Sequence, residues 1–323
     1  MWQPSATIET LKVRADFIAQ IRRFFAERKV LEVETPALSQ ATVTDIHLQS
    51  FTTKLAATVS DDNQAQALYL QTSPEFAMKR LLAAGSGAIF QICKAFRNEE
   101  QGRYHNPEFT MLEWYRPGFS YLQLIDEIDE LVCCLLGTES AQLISYQQIF
   151  IDILGIDPLT ASSEQLKQVI SKHQQMSDWL EKEEDIDTLL QFMFATFIEP
   201  SIGQERPCFI YHFPASQAAL AKLAPADKRV ACRFELYYRN MELANGFDEL
   251  TNASEQRLRF EQDNRQRKAR NLPEKPLDER LLAALEHGLA DCSGVALGID
   301  RLLMLKLNKT EIKDVLSFDL HRC

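Results

Sequence analysis

The chain has 323 residues, of which 46% are hydrophobic and 25% are charged, a balance typical of a globular protein. Its formal net charge is −11, from 35 Lys and Arg against 46 Asp and Glu. The densest basic stretch, 257–270, is interleaved with Glu261 and Asp263, which is typical of a solvated helix face rather than a nucleic-acid patch. The charge therefore argues against a large tRNA as substrate.

The seven cysteines show no C-x-x-C spacing, which disfavours a zinc site or a disulfide framework and favours reduced thiols in the cytoplasm. Residues 1–10 lack the apolar region of a signal peptide, and no apolar run is long enough to span a bilayer. We therefore expect a cytoplasmic protein without a membrane partner.

Hydrophobic spacing and turn residues predict strands and helices along the whole chain. The predicted helices cover residues 10–28, 74–84, 121–136, 254–270, 277–287 and 300–307. The predicted strands cover residues 29–36, 67–71, 88–96, 108–115, 207–213, 230–238, 241–247 and 295–299.

These elements do not alternate as regular βαβ units would. They predict an α+β fold in which helices flank an antiparallel β-sheet. We expect one catalytic domain over residues 1–323, with a mostly helical insertion at roughly 143–202.

Two polar segments lie where predicted strands meet loops in the first half of the chain. In residues 72–75, Ser73 caps a helix and Glu75 favours its positive end on a purely structural interpretation. Arg97 and Glu99 lie two apart on a predicted strand and point the same way. An arginine there can bind a phosphate or carboxylate with its planar fork, whereas the structural alternative is a surface hairpin.

Two further polar segments lie in the second half. Glu235, Glu242 and Glu249 are predicted on neighbouring strands, and clustered carboxylates repel each other unless a cation bridges them. Mg²⁺ takes one or two carboxylates together with substrate phosphates, while exposed hairpin charges are the alternative. Small residues in 294–298 let a flat ligand lie against a strand, and Arg301 can reach a polyphosphate. Neither common glycine-rich nucleotide loop is present.

Taken in order, these peptides resemble the motifs of the class II aminoacyl-tRNA synthetases. The three class-wide motifs are matched by residues 31–36, 96–109 and 298–301. Peptides close to the lysyl-tRNA synthetase forms are residues 73–75, 105–110 and 242–247. The resemblance runs from about residue 8 to the C-terminus and implies the class II catalytic core.

Two departures point to one branch of this group. The first predicted helix begins near residue 10, which leaves no room for the OB-fold anticodon-binding domain of lysyl-tRNA synthetases. Ala296 stands where those enzymes have a glycine at the floor of the amino-acid pocket. In both features, and in segments 39–48 and 291–298, the sequence resembles the elongation factor P lysine ligases. Motif 1, an interface element in the family, then implies a homodimer.

The resemblance implies a reaction in two steps. ATP, with Mg²⁺, activates (R)-β-lysine to an enzyme-bound adenylate, and the acyl group then passes to the ε-amino group of one lysine on elongation factor P. Because the product is an amide on a protein, tRNA is not expected as a partner.

The resemblance also implies residue roles. Arg97 and Arg301 are expected to be catalytic, because they would meet the phosphates. The residues expected to bind ATP are Arg97, Asn98, Glu99, His105, Asn106, Phe109, Glu242, Leu243, Gly298 and Arg301. The residues expected to bind the amino acid are Ser73, Pro74, Glu75, Tyr115, Glu249 and Ala296. The expected Mg²⁺ ligands are Glu235 and Glu242.

Within the amino-acid set, Glu75 is expected to bind the backbone-type amine, and Tyr115 and Glu249 the distal ammonium. The Ala296 methyl group would reshape the pocket floor and favour the displaced amine of a β-amino acid.

Two other functions stay open at this point. A truncated ligase that charges tRNA with lysine is disfavoured by the net charge and the expected absence of the anticodon domain. A non-catalytic regulator of synthetase type is disfavoured because Arg97 and Arg301 are both present.

Overall fold

A computed structural model describes residues 2–55, 66–98 and 101–323. The strands, in chain order, are β1 (Leu31–Glu32), β2 (Leu38–Ser39), β3 (Thr52–Leu55), β4 (Gln66–Leu70), β5 (Ile89–Phe96), β6 (Glu108–Pro117), β7 (Gln142–Ser145), β8 (Cys208–Tyr211), β9 (Arg233–Tyr238), β10 (Met241–Asp248) and β11 (Cys292–Gly298). The α-helices are α1 (Ile8–Glu27), α2 (Glu75–Ala83), α3 (Tyr121–Leu136), α4 (Tyr146–Leu154), α5 (Ser163–Lys172), α6 (Asp178–Lys182), α7 (Ile186–Met193), α8 (Ala253–Ala269), α9 (Glu279–Gly288) and α10 (Ile299–Lys306).

The chain divides into two compact units. The first unit comprises Met1–Ser120, Cys134–Leu136 and Glu249–Cys323, and the second comprises Tyr121–Cys133 and Gly137–Asp248. The expectation of one domain with an insertion at 143–202 stays a prediction.

The first unit is built on strands in the order β1–β5–β6–β11. The β1/β5 pair is parallel, and the β5/β6 and β6/β11 pairs are antiparallel. On one face, Trp114 of β6 contacts Phe25 of α1 at 5.2 Å between ring centroids, and Phe25 stacks on Phe90 of β5 at 4.5 Å. Because side chains alternate along a strand, Glu113 and Tyr115 of β6 lie on the opposite face.

The second unit contains strands in the order β10–β9–β8–β7, with β7 and β8 parallel and the other pairs antiparallel. Arg239 and Asn240 join β9 to β10 and both have positive φ, 49° and 60°, as a tight hairpin turn requires. The core that covers these strands comes mainly from α4–α7, with Tyr146 of α4 stacked on Phe194.

The predicted α+β class is confirmed, with a mixed rather than a wholly antiparallel sheet. Parallel pairing requires a long crossover, and the chain between β1 and β5 supplies one that contains α2 and a separate three-stranded sheet, β2–β4–β3. In the described part of the chain, no helix combines the length and the apolar character that a membrane span needs.

Four local expectations need correction or fall outside the described residues. Pro74 precedes the first residue of α2 instead of occupying it. Arg97 follows the last residue of β5, although its backbone N–H still donates to the Pro107 carbonyl oxygen at 2.9 Å. Glu249 lies just after β10 and belongs to the first unit, so it is not on a strand beside Glu235 and Glu242. Glu99 lies outside the described residues.

The backbone at Gly203 makes a close approach that gives a test of the second unit. Its φ is +63°, and a Cβ there would lie 2.6 Å from the carbonyl oxygen of Tyr237. We expect Gly203→Ala to lower the free energy of unfolding by about 3 kcal/mol, since backbone strain and a backbone clash add together. Gly155 has φ +68° with open space around it, so Gly155→Ala should cost only about 1 kcal/mol. Urea unfolding measures both, and equal losses would contradict this packing.

Candidate active site

A buried carboxylate forms the centre of the polar face of β6. Glu113 is 2% exposed. The Tyr115 hydroxyl donates to its Oε1 at 2.7 Å, and the Ser73 hydroxyl donates to its Oε2 at 2.6 Å. Two predicted substrate residues therefore converge on a carboxylate that the sequence analysis did not single out.

Ser73 serves the helix as well as this face of the sheet. Its Oγ accepts a hydrogen bond of 3.0 Å from the backbone N–H of Glu75, the first residue of α2. One hydroxyl thus links the start of α2 to Glu113 on β6, and substrate binding by Ser73 stays a prediction.

A lysine from α2 joins two of the predicted substrate carboxylates. The Nζ atom of Lys79 lies 2.5 Å from Glu75 Oε1 and 2.5 Å from Glu249 Oε2. Lys79 and Glu249 are 2% and 1% exposed, while the Glu75 side chain is 16% exposed. The cluster is therefore closed around Lys79, and Glu75 is its most accessible member.

Strand β11 is the antiparallel neighbour of β6 and continues its polar face. Gly294 pairs in register with Tyr115, and Ala296 pairs with Glu113, so these side chains share one face. A Cβ at Gly294 would lie 2.5 Å from Tyr115 Cδ1 and would also collide with the Glu249 carboxylate. Glycine is therefore required at 294, whereas Ala296 has space for its methyl group.

Burial controls the ionisation of this cluster. It raises the pKa of Glu113 to about 7, assisted by the charge of Glu75 and opposed by the hydrogen bonds from Ser73 and Tyr115. Burial also raises the pKa of Glu249, against the attraction of the Lys79 ammonium. Lys79 itself is held in its charged form, because its two carboxylate partners outweigh its desolvation and raise its pKa. The carboxylates outnumber the internal cation, which suits a ligand that carries ammonium groups.

Two arginines of the first unit, Arg97 and Arg301, are the residues predicted to contact phosphates. The Arg97 guanidinium lies 5.2 Å from the centre of the Phe109 ring. Arg301 lies in the first turn of α10, with Nη2 2.7 Å from His105 Nε2 and Nε donating to the Tyr104 carbonyl oxygen at 3.3 Å. A cation at the start of a helix, together with the helix dipole, favours an anionic ligand.

A buried ion pair fixes the start of α10 next to Arg301. Asp300 Oδ1 lies 2.6 Å from Arg14 Nη1 of α1, and Asp300 Oδ2 accepts from the Thr110 backbone N–H at 2.7 Å. Arg14 Nη2 also donates to the Thr110 hydroxyl at 2.7 Å. Strand β6, helix α1 and helix α10 are thereby joined beside the arginine.

The second unit holds the two predicted metal ligands on one hairpin. Glu235 of β9 accepts hydrogen bonds from Arg233 at 2.5 Å, from Asn245 at 3.1 Å and from the Tyr237 hydroxyl. Burial raises the pKa of Glu235 to about 7, with Arg233 opposing this shift and the charge of Glu242 adding to it. Glu242 on β10 is half-buried.

This donor set fits a weakly held Mg²⁺ ion. Across the described residues, no group of three His, Cys, Asp or Glu side chains is arranged to hold a metal. Mg²⁺ is commonly held by one or two carboxylates together with phosphates, so Glu235 and Glu242 match a metal that arrives with a nucleotide.

The other predicted nucleotide residues differ in how their side chains are used. The Asn106 amide donates to the Glu108 carbonyl oxygen at 2.7 Å and accepts from the Leu320 N–H at 3.2 Å. Asn98 is exposed, and its N–H donates to the Gln49 carbonyl oxygen at 2.7 Å. Gly298 directly precedes α10.

Leu243 is 2% exposed at a β-bulge in β10, so its side chain packs in the core. The bulge leaves the strand backbone as the part of Leu243 that can meet a ligand.

Sequence reasoning missed three charged residues that the structure brings into these clusters: Glu113, Lys79 and Arg233. Each had a local signal. Glu113 lies two residues before Tyr115 on the same strand, and Lys79 lies four residues after Glu75 on the same helix. Arg233 likewise lies two residues before Glu235 on β9.

The carboxylate cluster, Arg97 and Arg301 all lie in the first unit. The profile of the tRNA synthetases class II (D, K and N) matches residues 3–322, and the chain belongs to this family. Membership in the family implies the use of ATP.

Several relatives are similar over nearly their whole length, and each is named elongation factor P--(R)-beta-lysine ligase. The protein of Pseudoalteromonas translucida is 60% identical over 322 residues, covering 100% of this chain and 98% of its own length. The proteins of Edwardsiella ictaluri and Proteus mirabilis are each 58% identical over 321 residues, covering 99% of this chain and 98% of theirs.

The raised pKa of Glu113 predicts a pH dependence of stability. Its folded pKa, about 7, lies above the ordinary value of 4.5, so the folded form keeps a proton that the unfolded chain loses between these values. This contribution is full below about pH 4.5 and is lost as pH rises through 7. We expect the free energy of unfolding of the wild type, relative to Glu113→Gln, to fall by about 3 kcal/mol between pH 5 and pH 8.

Urea unfolding at several pH values measures this difference. Glu108, which is exposed on the same strand, offers a matched control, and Glu108→Gln should follow the wild type. A constant difference between the wild type and Glu113→Gln would contradict the buried, protonated state.

Proposed function

We propose that the chain activates (R)-β-lysine with ATP and transfers it to the ε-amino group of one lysine on elongation factor P. The observation that carries this proposal is the pair of carboxylates, Glu75 and Glu249, held on the single ammonium of Lys79, because two negative charges exceed the one positive charge of the lysine. A substrate with two amino groups supplies the missing positive charge. The names and full-length similarity of the relatives support the same choice.

In the first step, a carboxylate oxygen of β-lysine attacks the α-phosphorus of ATP, and pyrophosphate leaves. Arg97 binds the α-phosphate and the substrate carboxylate, and Arg301 meets the terminal phosphates. Both stabilise the charge that grows at phosphorus. Mg²⁺ bound with ATP would add positive charge at the phosphates, and Glu235 and Glu242 would hold it. Catalysis is then positioning and electrostatics, without a protein nucleophile.

The remaining nucleotide contacts come from the 97–109 segment and from the start of α10. Phe109 and His105 pack against the base or ribose, and Glu99 and Asn106 position the adenine. Asn98, Gly298 and the backbone at Leu243 complete this set.

The amino acid lies against β6 and β11. Glu75 binds the amine nearer the carboxylate, and Tyr115 and Glu249 bind the distal ammonium. Ser73 and Pro74 fix the start of α2, and Ala296 forms the floor.

In the second step, the neutral ε-amine of the acceptor lysine attacks the acyl carbonyl carbon and AMP leaves, which forms an amide. We also propose that the chain forms a homodimer through residues 31–36 and that tRNA is not an acceptor.

Pyrophosphate exchange tests the first step. We expect exchange with (R)-β-lysine to exceed that with L-lysine, and Arg97→Ala to lower the rate about 10²- to 10³-fold because it removes charge stabilisation at phosphorus. Transfer is followed by mass spectrometry of elongation factor P, with bulk tRNA as the competing acceptor.

Each outcome selects one function. A mass gain on elongation factor P alone supports the proposal. Label on tRNA would make the protein a minimal tRNA ligase, and an absence of exchange with either amino acid would leave a regulator of synthetase type.

Ala296 gives a test of isomer choice. We expect Ala296→Gly to shift the ratio of kcat/KM for (R)-β-lysine and L-lysine toward L-lysine by about tenfold, because one methyl group in a pocket is worth about 1–3 kcal/mol. Ala290 is exposed in the first unit, and Ala290→Gly offers a matched control because it also removes one methyl group. An unchanged ratio in Ala296→Gly would exclude a role for the floor in isomer choice.

A further inference from the structure

We propose that Lys79 is a positioning residue for amine recognition, an internal counter-cation that keeps the Glu249 carboxylate charged and fixes which oxygens of Glu75 and Glu249 meet the substrate. This inference rests on the proposed function, since it assigns Glu75 and Glu249 to the amines of the substrate. Lys79 itself contacts no reacting atom in this role.

Lys79 contacts one oxygen atom of each of the two carboxylates. Its Nζ atom contacts Oε1 of Glu75 and Oε2 of Glu249, both at 2.5 Å. The other oxygen of Glu249, Oε1, is the atom that approaches Gly294 on β11. Lys79 therefore contacts one oxygen of each carboxylate, and in this proposal the second oxygen of each meets the ligand.

The charge balance explains why a lysine is needed at this depth. Glu249 is 1% exposed, so water does not stabilise its charge, and burial favours the neutral acid. A neutral carboxylic acid is a poor partner for an ammonium group. Glu75 and Glu249 together carry two negative charges, Lys79 neutralises one, and one remains to attract a substrate cation.

The groups that face Glu249 from the packed elements all bear on its ionisation. Lys79 and Glu75 come from α2, and Glu113 and Tyr115 come from β6. Among these groups, Lys79 is the cation, and the others either carry negative charge or remain neutral. Removing its charge therefore shifts Glu249 toward the protonated form, in which substrate binding must release a proton.

The sequence also suits this role. Glu75 and Lys79 are four residues apart on α2, with the acidic residue nearer the helix N-terminus, which is the favourable order for such a pair. Helix α2 thus holds Lys79 in place beside Glu75 and Glu249.

The test compares Lys79→Met, which keeps the length and loses the charge, with Lys79→Arg, which keeps the charge. Isothermal titration calorimetry measures the Kd of (R)-β-lysine and L-lysine from about pH 6 to pH 8. We expect Lys79→Met to raise the Kd at least tenfold at neutral pH. The ratio of its Kd to that of the wild type should grow as pH falls, by up to about tenfold per pH unit. The amines of the ligand titrate in both proteins and cancel in this ratio, whereas the pKa of Glu113, which the Lys79 charge also lowers, rises together with that of Glu249 in Lys79→Met.

Lys79→Arg should bind less tightly than the wild type, with a ratio that does not change with pH. Lys167→Met removes a lysine from an ion pair with Glu184 in the second unit, and its Kd should equal that of the wild type. Tighter binding by Lys79→Met would overturn the proposal, because it would show that Lys79 competes for the amine site. A pH-independent loss in Lys79→Met would also overturn it.

A measurement on the wild type covers the case in which Lys79→Met does not fold. The ¹⁵Nζ signal of Lys79, assigned by its loss in Lys79→Arg, should remain that of an ammonium at about pH 11, where most of an exposed lysine is already neutral, and should shift when (R)-β-lysine binds. A signal that titrates like an exposed lysine, or that ignores the ligand, would overturn the inference. Calorimetry and exchange separate the two proposals: binding without exchange contradicts the proposed function alone, and absence of binding contradicts both.

Discussion

Burying charge is costly, and the first unit buries Lys79 and Glu249 as directly paired ions with Glu75 at their edge. Removing Lys79 leaves the buried Glu249 carboxylate without a cation, so the stability of the cluster depends on the lysine. Its placement also constrains the neighbouring strand, since Gly294 must lack a side chain for Tyr115 and Glu249 to occupy their positions. The rest of the site is arranged around this requirement.

Strand β6 carries core residues on one face and residues of the polar cluster on the other. Its alternate residues give Trp114 to the aromatic core with Phe25 and give Glu113 and Tyr115 to the polar face. The backbone N–H of Thr110 on the same strand donates a hydrogen bond to Asp300, and this bond fixes the start of the helix that carries Arg301. One strand therefore connects the aromatic core, the carboxylate cluster and the helix that carries Arg301, and this explains how a rigid scaffold positions groups from distant parts of the sequence.

Much of the fold could be predicted from sequence, because its signals are local. The β9/β10 hairpin follows from its alternating pattern and the Arg239-Asn240 turn, and α1 follows from apolar residues at helical spacing. The parallel pairing of β1 with β5 could not be predicted in this way, because it joins segments far apart in the chain and depends on the crossover between them.

The candidate site was predicted in part for the same reason. Ser73, Tyr115 and Glu249 were identified by motif resemblance, whereas Glu113 and Lys79 were overlooked because charged residues on a strand or helix usually face solvent. Their importance depends on burial, which arises only after α2 packs near β6 and β11. The position of Glu249 outside the hairpin was missed because strand ends are the least certain feature of a sequence pattern.

In the proposed function, Glu249 and Glu75 recognise the amines of the substrate while Lys79 stays between them. A crystal structure with a non-hydrolysable β-lysyl adenylate analogue tests it directly. We expect the distal ammonium to lie about 3 Å from Glu249 Oε1 and from the Tyr115 hydroxyl, with Lys79 still paired to both carboxylates. An analogue whose amines bind elsewhere, or one that displaces Lys79 from Glu249, would contradict it.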